Sequence, residues 1–139
     1  MGSRKAEVES RDLTGKNSSP RDLKERTQTF ALGAIRLVRA LPNSAEAWVI
    51  GKQLLRSATS VGANYRACQR GKSRADFIAK LAIAEEEADE CCYWLELVVA
   101  AELLPRKRVE PLLQEAGETV FRIGEIEPCD GGRAFAAVI

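Results

Sequence analysis

The chain contains no histidine and only one methionine. Without histidine there is no imidazole base for a Ser-His-Asp type of triad. The same absence excludes a di-iron centre of the bundle type, which takes a Glu-x-x-His motif from each of two helices. Cysteine is scarce: Cys68, Cys91, Cys92 and Cys129. None forms a CxxC pair, and a zinc site would need all of them to converge as thiolates. Cys91 and Cys92 are adjacent, so on a helix they point about 100° apart. They read as plain buried thiols, and no metal or cofactor is expected. No apolar run approaches the roughly 20 residues that span a bilayer, so no membrane partner is expected. The first 20 residues have no apolar stretch and do not read as a signal peptide. A cytoplasmic location is the default expectation. An excess of one charge is also missing: 21 basic and 20 acidic residues leave a formal charge of +1. Composition alone therefore demands neither nucleic acid nor a membrane surface.

Helix formers dominate what is present, within 139 residues of 45% hydrophobic composition. Residues 1–18 are polar and unpatterned and read as a disordered lead. The bundle is expected over 19–126 and a C-terminal tail over 127–139. The first helix is predicted to start at Ser19-Pro20, an N-cap followed by a favoured first-turn proline. Its stripe is Leu23, Thr27, Phe30, Ala34, Leu37 and Leu41, and Pro42 stops it. A second helix follows the Ser44 cap with Ala47, Gly51, Leu54, Ala58, Val61, Tyr65 and Cys68 on one face. Gly71 is expected to end it in a left-handed cap. The third helix opens at Ser73-Arg74-Ala75-Asp76, which resembles a capping box. Its stripe runs Phe77, Leu81, Ala84, Ala88, Cys91, Leu95 and Val98, widened by Ile78, Ile83, Trp94, Leu97 and Ala101. It should span about 30 residues and end before Pro105. The fourth carries Val109, Leu112, Leu113, Ala116, Val120 and Ile123, and Pro111 allows a start as late as residue 110. Four such stripes on short loops predict an all-α, antiparallel up-and-down four-helix bundle.

Charge divides across the central hairpin. From Lys52 to Arg70 the second helix carries Lys52, Arg56, Arg66 and Arg70 and no acid. From Glu85 to Glu102 the third carries Glu85, Glu86, Glu87, Asp89, Glu90, Glu96 and Glu102 and no base. Folding back about residues 71–73 places positions summing to about 144 at one level. Arg56 is therefore expected to pair with Glu87 or Glu90 and to fix register as a structural ion pair. The hairpin tip gathers Arg66, Arg70, Lys72, Arg74 and Lys80 against Asp76 alone, a candidate phosphate-binding patch. Gly71-Lys72-Ser73 is not a phosphate loop, because a helix and not a strand precedes it and the earlier glycine is missing. Trp48, Val49 and Ile50 are consecutive and cannot all face one core. With Trp94 and Leu104 they are surplus apolar surface, and Trp48, Val49, Ile50 and Trp94 are the candidate oligomer interface.

The run Arg56-Ser57-Ala58-Thr59-Ser60-Val61-Gly62-Ala63-Asn64-Tyr65-Arg66-Ala67 resembles the signature of a bacterial four-helix-bundle family. Its members include proteins encoded within intervening sequences of 23S rRNA genes. The likeness continues through Ala75-Asp76-Phe77, Lys80-Leu81, Glu86-Glu87-Ala88-Asp89-Glu90 and Tyr93-Trp94-Leu95-Glu96-Leu97. It extends to the accessory proteins of diversity-generating retroelements. The resemblance implies a ring-shaped homopentamer without enzymatic activity. It also implies RNA or DNA, or a nucleic-acid-processing protein, as a partner. The rival expectation is a scaffold or protein-interaction module that binds no nucleic acid.

Overall fold

The computed structural model describes residues 20–126 as four α-helices in sequence: α1 (Pro20–Arg39), α2 (Ala45–Cys68), α3 (Arg74–Ala100) and α4 (Arg106–Ile126). The expectations for the lead, the Ser19 cap, the tail and Cys129 fall outside the described residues. Each helix packs against its chain neighbour, and α4 returns to α1, which closes an up-and-down bundle.

The stripes form the core. All seven stripe residues of α3 are fully buried, as are Leu54, Ala58, Val61, Tyr65 and Cys68 of α2. Small side chains bring α2 and α3 close. The buried Ser57 hydroxyl donates to the carbonyls of Gln53 and Leu54 and accepts from the Cys91 thiol at 3.4 Å. Ser57 thus sits in the core with its polar atom satisfied. Gly62 lets α2 approach α1, since a Cβ there would lie 3.3 Å from the Thr27 hydroxyl.

Two local expectations need correction. Gly71 is not a left-handed cap: the cap is Gln69, in right-handed helical conformation. Gly71 is needed for room instead, because a Cβ would fall 3.1 Å from the Cys68 carbonyl and 3.2 Å from the Phe77 nitrogen. Backbone of left-handed conformation occurs at Glu102, with φ 59°. There Leu103 N–H donates to the Val98 carbonyl and Glu102 N–H to the Val99 carbonyl, a Schellman ending for α3. Helix α3 has 27 residues, a turn short of expectation. Helix α4 begins at Arg106 and runs through Pro111, whose missing N–H costs only one bond at an exposed position.

The apolar flanks also sort differently. Ile50 and Leu104 are buried in the core, so neither is surplus surface, whereas Ile83 and Ala101 are exposed. Trp48, Val49 and Ile50 fan out by about 100° each, and the third turns inward. Leu104 is carried back onto the core by the turn at Glu102.

Candidate nucleic-acid interface and assembly surfaces

The α2–α3 turn is built from its own backbone and two side chains. Gly71 N–H donates to the Cys68 carbonyl at 3.1 Å, and Arg70 N–H to that of Ala67 at 3.1 Å. Ser73 caps α3, its hydroxyl accepting from Asp76 N–H at 3.1 Å. Asp76 accepts from Lys72 N–H at 3.4 Å, one residue before the partner a capping box would give it. The carboxylate beside the tip is therefore engaged with backbone.

Around this turn Arg66, Arg70, Lys72 and Arg74 are exposed and Lys80 is half-buried. None of these five forms an ion pair among the described residues. Free cations about a rigid turn, beside the N-terminus of α3, suit contacts to phosphate oxygens.

The register pair is present and lies at the surface. The Arg56 guanidinium donates to Glu87 at 3.2 Å and also to Glu90, while its Nε donates to Gln53 at 3.0 Å. Its hydrogen bond to Glu90 is the main reason its pKa rises. Burial holds the Glu87 carboxyl above its ordinary value, outweighing the attraction of Arg56. With 47% of the Arg56 side chain exposed, the pair sets register and adds little stability.

The assembly candidates divide. Trp48 is 68% exposed and Val49 51%, and Lys52 Nζ stands 5.1 Å from the Trp48 ring centroid. Ile50 is withdrawn into the core. Trp94 is half-buried against Tyr93, and its indole Nε1 is buried without an acceptor among the described residues. Two exposed aromatics were not among the expected assembly residues, Tyr93 on α3 and Phe121 on α4. Both flank stripes whose predicted members are buried or half-buried, so only the three-dimensional wheel reveals them.

A further feature links the first and last helices. Arg26 on α1 makes a bidentate pair with Glu115 on α4, both contacts at 3.0 Å. That hydrogen bond is the main cause of the raised Arg26 pKa. The partners lie 89 residues apart, beyond any hairpin register argument. The thiols are protected: burial pushes Cys68 up to about 11 and Cys91 up to about 12. Among the described residues no group of three or more His, Cys, Asp or Glu side chains is placed to hold a metal ion. Among the same residues no helix is long and apolar enough to cross a membrane.

These features match a known family. No curated protein matches the chain. A solved structure from Bacteroides thetaiotaomicron, a protein of unknown function from the S23 ribosomal protein family, is similar at 39% identity with a TM-score of 0.71. The likeness covers 75% of this chain and 96% of that one. The family described as 23S rRNA-intervening sequence protein matches residues 22–124. With fold, hairpin signature and family match in agreement, the chain belongs to the 23S rRNA-intervening sequence protein family.

Proposed function

We propose that this protein is a non-enzymatic homo-oligomer that binds RNA or DNA, or a nucleic-acid-processing protein, through the α2–α3 tip. The carrying observation is the set of free cations at that turn, Arg66, Arg70, Lys72 and Arg74, whose one neighbouring acid is tied to backbone. Repeated around a ring, as the family resemblance implies for a homopentamer, the patch would gain in charge and avidity.

Surface complementarity supports a head-to-tail assembly. On the α1–α2 side Trp48, Lys52 and Leu55 border a groove with Val38 and Leu41. Across the bundle, α3 exposes Glu86, Asp89, Tyr93 and Glu96, and α4 exposes Phe121. An apolar, Trp-bearing groove with Lys52 at its border and an acidic, aromatic-bearing face suit a heterologous contact that closes into a ring.

The test combines solution mass with nucleic-acid binding. Reversing Arg70, Lys72 and Arg74 to Glu is expected to leave the mass unchanged and to abolish binding at moderate salt. The slope of log affinity against log salt should fall by about 0.9 for each lost duplex phosphate contact. Salt-sensitive binding that survives in this variant removes the tip from the reading. A second reading, a scaffold for a protein partner, draws on the exposure of Trp48. It predicts a clean oligomer that retains no nucleic acid.

A further inference from the structure

The α1–α4 seam carries arginine at both ends but answers only one of them with a carboxylate. Toward the start of α1, Arg26 is clamped by Glu115. Toward the other end, a surface pocket of about 330 Å³ is lined by Gly33, Arg36 and Leu37 of α1 and Arg108, Pro111 and Leu112 of α4. No acid lines it, and neither Arg36 nor Arg108 forms an ion pair among the described residues. Both arginines are exposed.

The local charge order of α4 points the same way. Its first turn has no acid and opens with Arg106, Lys107 and Arg108. Cations at a helix N-terminus oppose the macrodipole, and acids are the stabilising choice there. Arg106 is answered by Glu110 at 3.1 Å, whereas Arg108 is left facing the pocket. The two arginines line one cavity with no carboxylate among its lining residues, an arrangement that an anion would neutralise.

We propose that Arg36 and Arg108 form a binding site for a phosphate ester. The phosphoryl group is held between the two guanidinium groups, whose planar forks match its oxygens. The organic portion lies on Leu37, Pro111 and Leu112. Gly33 keeps the floor open, since a Cβ there would come within 2.9 Å of Leu112. The site is distinct from the α2–α3 tip and does not depend on it. The phosphate ester is either a free mononucleotide or a nucleic-acid backbone, and the chemistry of recognition is the same for both.

The test uses the full chain, isotope-labelled, titrated with inorganic phosphate, a nucleoside monophosphate and a single-stranded oligonucleotide. The Nε–H resonances of Arg36 and Arg108 are expected to shift saturably. Arg36→Gln or Arg108→Gln should weaken binding at least about tenfold, a charge-assisted pair being worth more than 1.4 kcal/mol. Saturation by the monophosphate assigns a free nucleotide, and saturation by the oligonucleotide alone assigns a nucleic-acid backbone. The Glu-reversed tip variant should retain these shifts, so failure of the tip reading and failure of this one are separable. Arg108→Glu should abolish binding while raising the melting midpoint by about 2–4 °C, because it restores an acid to the helix start. Absence of saturable shifts with all three probes overturns the proposal, as does unchanged affinity in the Arg36→Gln/Arg108→Gln double variant.

Discussion

The bundle has one tight side and one open side. Between α2 and α3, small residues interlock: Ser57 meets Cys91, and Ala58, Ala84 and Ala88 are fully buried nearby. Between α1 and α4 the contact is much sparser. It is made by the Arg26–Glu115 pair, by Gly33 against Leu112, and by shallow pockets on either side. Close packing leaves no freedom to host a ligand, because one extra methylene is felt. The open seam can carry charge and cavities without disturbing the core. Close packing is thus concentrated between α2 and α3, and the pocket lined by Arg36 and Arg108 lies where distant segments meet.

Substitutions that break this contrast should differ in size. Leu54→Ala, at a fully buried α2 position, is expected to cost about 2–5 kcal/mol in urea unfolding. The same truncation at half-buried Leu112 on the open seam should cost less than half as much. Overpacking the tight side with Ser57→Leu is expected to cost about 1–3 kcal/mol, since Cys91 Sγ already lies 3.4 Å from the serine oxygen. Equal costs on the two sides would erase the contrast.

Smaller effects sharpen it. Glu115→Ala should cost about 1 kcal/mol, because Arg26 and Glu115 are roughly a quarter and a third exposed and one guanidinium loses both bonds. Gly33→Ala is expected within about 0.5 kcal/mol of neutral: the helix gains from alanine, and the opposing atom is a movable leucine methyl. The smallest effect is at Glu87, whose carboxyl burial holds above its ordinary value. The folded state therefore binds this proton more tightly than the unfolded chain does. The group adds stability below the unfolded carboxylate range and withdraws it as pH rises through the folded value. Glu87→Gln should consequently gain on the parent by about 0.5 kcal/mol or less between roughly pH 4 and pH 7, read by urea unfolding at each pH.

The fold was legible because each stripe keeps a helical period and each break carries a cap or a proline. The α3 stripe is buried without exception, and the Arg56 partners follow from simple counting about the turn. The tip cations were legible for the same reason, being adjacent in sequence. What escaped depends on wheel position or on distant segments. Ile50 turned inward because a residue one position off a stripe can lie on either flank, and Leu104 because the turn at Glu102 carries it back onto the core. The clamp of Arg26 by Glu115 and the pocket between Arg36 and Arg108 join the first and last helices. No local pattern encodes that neighbourhood. Glu102 shows the reverse case: its left-handed backbone is demanded by the Schellman turn, where glycine would ordinarily stand.

The tight packing of α2 on α3 has a kinetic consequence. All three connections are five residues long, so loop closure costs much the same at each, and the interlocked small residues are what favour this hairpin as the first to form. The hairpin is therefore the expected folding nucleus, with fractional φ-values near its buried small residues and values close to zero along α1. Unfolding should begin from the opposite seam, with amide exchange fastest in α1 and slowest in the facing halves of α2 and α3.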